Sequence, residues 1–220
     1  MSIIQGPNIV IDGLVMYLDA ANSISYPGSG ILWNDLSGKG RNFTLNVVSQ
    51  QTYLGNNFQF QNQYGYIATG LDDDIQTDMT IECWYMPISM YPNCCDTVFG
   101  QYNFRFFHIG NYVYSMISVD DGAGTRLWTH PSFYIANDIW HHTVLCRRNF
   151  YSYIIWIDGV QMFNNATYAG LNLWSNKSDW YISGGNHPNV KIAICRTYNR
   201  GLSDIEIRQN YMAQKSRFGL

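Results

Sequence analysis

Short runs of β-branched and aromatic residues, cut at almost every interval by Gly, Asn, Asp or Pro, recur along the whole of this 220-residue chain. Runs of that length suit strands rather than helices. The pattern predicts strands over 14–18, 43–48, 64–68, 79–86, 97–101, 104–109, 112–119, 140–147, 152–157, 160–163, 180–183 and 191–198. The clearest turn signal is Asp158-Gly159, between Ile154-Ile155-Trp156-Ile157 and Val160-Gln161-Met162. An Asp-Gly pair accepts positive φ at both turn centres and so closes a tight hairpin. Many short strands joined by turns specify an all-β fold, a two-sheet antiparallel sandwich or jelly roll.

One short helix is signalled, near the C-terminus. Ser203-Asp204-Ile205-Glu206 reads as a capping box, with Leu202 and Ile207 placed as the hydrophobic staple beside it. The helix is expected from Asp204 to about Lys215, with Ile205, Tyr211 and Met212 toward the sheet. No internal repeat or low-complexity linker divides the chain. Residues 12–220 read as one domain and residues 1–11 as an N-terminal arm or first strand.

Charge excludes several function classes. Thirteen Lys and Arg stand against 16 Asp and Glu, a net −3, and charged residues make up only 13%. A surface that tracks phosphates is strongly basic, so no nucleic-acid partner is expected. Aromatics at 16%, with 21 Asn and 11 Gln, argue against disorder, which goes with high charge and few aromatics. No apolar run approaches the roughly 18–20 residues of a membrane helix, so no membrane partner is expected. Residues 1–7 lack the basic start and apolar core of a signal peptide, which points to synthesis in a cytoplasm. Of the five cysteines, Cys83, Cys146 and Cys195 lie in apolar runs and read as buried hydrophobes. Cys94-Cys95 lack the spaced partners of a zinc site.

Several separated motifs then agree in order with one family. Gly13 to Ser23 (GLVMYLDAANS), Ser25 to Gly30 (SYPGSG) and Trp33 to Gly38 (WNDLSG) form the opening. Asp78-Met79-Thr80-Ile81-Glu82-Cys83-Trp84, Trp140-His141-His142-Thr143 and the hairpin from Tyr153 to Gly159 follow. Ile192-Ala193-Ile194, Tyr198-Asn199-Arg200-Gly201-Leu202-Ser203 and Lys215-Ser216-Arg217-Phe218-Gly219 complete the series. Over residues 12 to 219 the chain resembles the laminin-G-like, concanavalin-A-like domains of tailed-phage virion proteins. The resemblance implies a concanavalin-A-like jelly-roll sandwich, and its motif residues have structural roles as their first explanation. Trp84 and Trp140 are expected to anchor the core between the sheets. Asp35 and Ser37 suit turn hydrogen bonds.

The fold hosts lectins, hydrolases and structural modules alike, so function must come from a site. Glycoside hydrolysis needs two flanking carboxylates. The "E-x-D-x-x-E" strand of sandwich glucanases is absent, and the chain has only Glu82 and Glu206. Asp72-Asp73-Asp74 and Asp120-Asp121 read as solvated loop acids. No "G-x-S-x-G" elbow and no glycine-rich phosphate loop is present. His141 and His142 are strand neighbours that point apart, one toward the core and the other toward the surface or an edge, and cannot grip one metal. No catalytic residue, no metal ligand and no cofactor are therefore expected. Calcium would need six to eight oxygens from converging loops, some of which the Asp runs could supply.

Carbohydrate binding is the better rival, because sugars stack on aromatic rings and bond to amides. The candidate residues are Tyr102, Trp128, His130, Trp174 and His187. Low charge with abundant Tyr and Asn also suits protein contact. The reading that follows is a virion structural protein, a capsid decoration protein or a tail or fibre component, made in the host cytoplasm. Its partners would be capsid or tail proteins of the same particle, in a homo-oligomer or symmetric array. The alternative is a glycan-binding module for attachment to a host surface.

Overall fold

The structure is a computed structural model that describes residues 7–45, 51–61, 65–67, 78–90, 96–101, 104–120, 126–129, 131–149, 152–165, 172–173, 180–184 and 189–220. The first strands are β1 (Leu14–Asp19), β2 (Leu32–Trp33), β3 (Phe43–Thr44), β4 (Gln51–Tyr53), β5 (Phe58–Gln61) and β6 (Gly65–Ile67). Next come β7 (Met79–Ser89), β8 (Asp96–Gln101), β9 (Phe104–Ile109), β10 (Tyr112–Asp120), β11 (Arg126–Thr129) and β12 (Ser132–Tyr134). The last are β13 (His141–Arg148), β14 (Ser152–Ile157), β15 (Val160–Asn165), β16 (Asn172–Leu173), β17 (Trp180–Gly184) and β18 (Asn189–Tyr198). Helix α1 (Asp204–Gln214) and a 3-10 turn, Lys215–Phe218, follow them.

The strands form two antiparallel sheets. One has eight strands, ordered β15-β14-β13-β7-β18-β5-β4, with β1 also paired to β18. The other has ten, ordered β11-β10-β9-β8-β17-β6-β3-β2, with β12 and β16 also paired to β10. Every predicted strand has a counterpart, although positions 46–48, 64 and 68 of the predicted runs lie outside the described residues. The reading missed β2, β4, β5, β11, β12 and β16, most of which are too short for an alternation to register. The Asp158-Gly159 turn has φ of 51° and 77°, the positive pair that its hairpin requires.

Alternation along β7 sorts the two layers beneath and above the eight-stranded sheet. Met79, Ile81, Cys83 and Tyr85 enter the core shared with Phe99, Phe104, Phe106 and Ile182 of the opposite sheet. Trp84 points the other way. It packs in a separate cluster with Ala193 and Ile194, against Trp140, Tyr211 and Phe218. The expectation that Trp84 and Trp140 sit between the sheets is thus corrected. They lie on the outer face, because the last helix and turn roof that face and make it a second interior. Phe218 stacks on Trp84 at 4.2 Å and tilts against Trp140 at 4.9 Å.

The helix forms as its capping box dictates. Ser203 Oγ accepts from the Glu206 amide at 3.3 Å, and Glu206 Oε2 accepts from the Ser203 amide at 2.8 Å. Leu202 and Ile207 are both buried in one cluster. The expected inward face is only partly right. Ile207 and Asn210 are buried and Tyr211 stacks on Trp84, but Ile205 and Met212 are exposed. The helix rests on a buried charge, so a polar residue, Asn210, occupies the position that an apolar pattern assigns to Ile205 or Met212. Asn210 and its neighbour also hold the chain before β1. The Val10 amide donates to Asn210 Oδ1 at 2.8 Å, Gln209 Nε2 donates to Asn8 O at 2.6 Å, and the Tyr198 hydroxyl donates to Val10 O at 3.1 Å.

Candidate functional site

Glu82 and Arg196 are the most unusual side chains in the fold. They lie directly opposite in register on β7 and β18, both on the roofed face, and both are essentially inaccessible to solvent. Arg196 Nη1 donates to Glu82 Oε1, and Nη2 donates to Gln214 Oε1 of the helix. The Asn210 amide donates to both Glu82 oxygens, at 3.2 and 3.1 Å, and to the Tyr198 hydroxyl at 3.0 Å. His142 Nε2 lies 3.4 Å from Glu82 Oε2, with its ring stacked on Trp84. Burial pushes the Glu82 carboxyl up, but Arg196, His142 and Asn210 outweigh it and hold the group below its usual value. A carboxylate held this way is a docking point for the helix, not a proton donor.

The two histidines do point apart, but neither is at the surface. His142 lies under the helix. His141 places Nδ1 2.8 Å from Asp158 Oδ2 and Nε2 3.0 Å from Ala136 O. The expected surface histidine is buried because the hairpin aspartate and the 136 carbonyl close over it. Nearby, between the sheets, Tyr85 Oη and His108 Nε2 are 3.1 Å apart, and Thr143 Oγ1 donates to the same tyrosine at 3.4 Å. Burial pushes the His108 imidazole down to about 3, so it is neutral at pH 7.

The remaining described acids of the motifs are also committed. Asp35 Oδ1 accepts from the amides of Tyr17 and Ser37, and Oδ2 accepts from the Ser37 hydroxyl and the Arg41 amide, the turn role expected of it. Arg217 Nη1 donates to both oxygens of Asp19, at 2.8 and 2.9 Å. Arg200 donates twice to Glu206, and these bonds lead the effects that hold its carboxyl down to about 2. Cys83, Cys146 and Cys195 are free and buried, as expected. Among the described residues no three His, Cys, Asp or Glu side chains come together as a metal site.

Tyr102, His130, Trp174 and His187 lie outside the described residues, as do Cys94-Cys95, Asp72-Asp73-Asp74 and Asp121. Trp128 is described in its backbone, opposite Ser118 in the β10–β11 ladder. β11 carries Trp128, and β16 ends one residue before Trp174. Both pair with the 117–120 end of β10. β8 ends one residue before Tyr102, and its Gln101 pairs with Trp180 at the start of β17. β17 then runs to Gly184, opposite Thr97, so the strand before His187 finishes at the other end of the sheet.

The Glu82 network escaped sequence reading, yet it had a signal. Ile81-Glu82-Cys83-Trp84 and Ile194-Cys195-Arg196-Thr197 each place one charge of opposite sign inside an apolar run, and charges rarely enter such runs unpaired.

No family model matches the chain, and no curated relative matches it. Solved structures do share its fold. The binding domain of botulinum neurotoxin serotype G aligns with a TM-score of 0.70 at 15% identity, covering 92% of this chain and 51% of the other. The binding domain of Paraclostridial Mosquitocidal Protein 1 aligns at 0.68 and 15%, covering 91% and 52%. Trypanosoma rangeli sialidase, in complex with sialic acid, aligns at 0.65 and 15%, covering 92% and 33%. The chain therefore spans about half of the toxin domains and a third of the sialidase. At such identity the likeness is one of fold. The class is the antiparallel β-sandwich of the concanavalin-A-like, jelly-roll kind with one short helix.

Proposed function

We propose that this chain is a non-catalytic contact module of a tailed-phage virion, a capsid decoration protein or a component of tail or fibre. The observation that supports this most is how the fold uses its charges. Glu82, Glu206, Asp19, Asp35 and Asp158 are each held by the chain's own Arg, Asn, His or backbone groups. Neither glutamate is left to act as an acid or a nucleophile. With charged residues only 13% of the chain, a neighbouring protein can cover much of it with little loss of solvated charge. The motif series from Gly13 to Gly219 supports the virion as the setting. Locating the chain in a reconstruction of its source particle tests the reading. Copies on symmetric sites, packed against capsid or tail proteins, are expected; a chain absent from the particle refutes it.

Glycan binding is the second reading. The observation in its favour is the fold shared with the binding domains of two toxins and with a sialidase solved in complex with sialic acid. The positions that would stack on sugar are Tyr102, Trp128 and Trp174, with His130 and His187 as polar partners. A glycan array probed with the chain and with its Trp128→Ala and Trp174→Ala variants tests it. Binding lost in both variants supports a sugar site, and no binding by the parent chain removes it.

A further inference from the structure

Cys83 and Cys195 meet at the centre of the eight-stranded sheet. They are register partners, and the β7–β18 ladder around them runs without a break from Trp84–Ile194 to Thr80–Tyr198. Each strand has another neighbour on its far side, β13 beside Cys83 and β1 beside Cys195. Both side chains enter the core between the sheets and are inaccessible to solvent. Their Sγ atoms are 3.7 Å apart, although the residues are 112 positions apart in sequence. Cys146 is no competitor. It lies on the roofed face, 3.3 Å from Thr80 Oγ1 and 3.6 Å from the Leu202 carbonyl.

The backbone permits a bond at this place. Directly opposed residues of antiparallel strands hold their Cα atoms about 4.5 or 5.5 Å apart, and both values fall within the roughly 4.4–6.8 Å span of a disulfide. Rotation of the two side chains supplies the remaining approach of the sulfurs. We propose that Cys83 and Cys195 are a disulfide site, which links β7 to β18 covalently when the chain folds in the presence of a small-molecule disulfide oxidant such as oxidised glutathione.

The chemistry has two exchanges. In the open chain the thiolate of one cysteine attacks a sulfur of oxidised glutathione, and one glutathione leaves. As β18 comes into register, the other thiolate attacks the mixed disulfide, the Sγ–Sγ bond forms and a second glutathione leaves. The protein sulfurs lose two electrons, the glutathione disulfide gains them, and the two thiol protons end on the two released thiols. The order matters because the closed sheet quenches the reaction. Burial, with Cys195 and Glu82 beside it, pushes the Cys83 thiol well above its usual value, and protonated thiols in an apolar core are inert. The same closure shields the finished bond from reductants. The link fixes the strand that joins the sheet together, and it restrains a long loop of the unfolded chain, where a disulfide stabilises most. The inference rests on neither functional reading.

Refolding the purified chain from urea in a glutathione redox buffer tests it. Free thiols are then blocked with N-ethylmaleimide and chymotryptic peptides are mapped without reduction, since chymotrypsin separates Cys83 from Cys94-Cys95. A Cys83 peptide joined to a Cys195 peptide is expected, and it should persist in the Cys94→Ser/Cys95→Ser variant. The linked chain should melt roughly 5 °C or more above the reduced chain. That difference should disappear in Cys83→Ala/Cys195→Ala. Cys83 and Cys195 both found blocked in the refolded chain, or joined to other cysteines instead of each other, overturns the proposal. So does a link found only in chains that lack the circular dichroism of the reduced protein.

Discussion

Replacing Arg196 by methionine should unseat the helix without touching it. The guanidinium is fully buried, bonds Glu82 and Gln214, and lies over the Tyr17 ring at 5.0 Å. Methionine keeps the apolar stem but strands Glu82, which then retains only the Asn210 amide and His142. Breaking a buried pair from one side costs about 3–5 kcal/mol, because the remaining charge is uncompensated. Against a total stability of about 5–15 kcal/mol this is a large fraction. Urea unfolding followed by tryptophan fluorescence reads the loss as a lower midpoint. A stranded carboxylate has two further effects. Adding Glu82→Gln to Arg196→Met removes the stranded charge and should recover about 1–3 kcal/mol, the size of coupling found between contacting residues. In the single variant burial raises the Glu82 carboxyl, so the protein should lose stability as pH rises from the unfolded value of about 4.3. If Glu82→Gln costs as much in the Arg196→Met background as in the parent, the deficit does not come from a stranded carboxylate.

Three other outcomes follow from the geometry. His108 is neutral in the folded chain down to about 3 but titrates near 6.5 when unfolded, so the unfolded state takes up the proton first and stability falls as pH drops between those values. The slope due to this group, at most about 1.4 kcal/mol per pH unit, should vanish in His108→Gln when unfolding midpoints are compared across pH. Glu206→Ala removes half of the capping box and should cost about 0.5–2 kcal/mol in thermal unfolding, with no effect on any ligand binding that is measured. A Cβ at Gly159 would sit 2.6 Å from the Tyr211 ring at φ +77°, so Gly159→Ala should cost roughly 1–3 kcal/mol; an unchanged melting temperature would refute the close packing of helix on hairpin.

The strands and the helix cap were legible because each depends on neighbours in sequence. The 14–18, 104–109 and 152–157 runs alternate or cluster clearly, and the Asp158-Gly159 turn and Ser203–Glu206 box are complete within a few residues. What depends on long-range placement was not legible. Trp84 reads as core from its size, but which side of the sheet it meets depends on whether a helix more than a hundred residues later covers that side. Ile205 and Met212 read as the buried helix face because apolar residues usually are, whereas the covered sheet presents a carboxylate and calls for Asn210. Glu82 has no visible partner in the sequence, because Arg196 is 114 positions away and only the register of β7 against β18 brings them together. The aromatic positions of the glycan-binding reading stand out in the sequence by residue type alone, and composition contains nothing that assigns them to one place in a fold.

The position of β18 makes the order of synthesis matter. This strand is the last of the described strands in chain order, yet it is central: it bonds β7 along one side, and β5 and β1 along the other. A nascent chain that has emerged only as far as β17 holds three strands whose common neighbour does not yet exist. Its eight-stranded sheet is split into three parts, β15-β14-β13-β7, β5-β4 and β1 alone, and none has its roof. Nucleation must then wait for contacts that close loops of well over a hundred residues, and chains dominated by such pairings fold slowly, in milliseconds to seconds. Chains that lack β18 expose unpaired central edges, the surface most prone to aggregation.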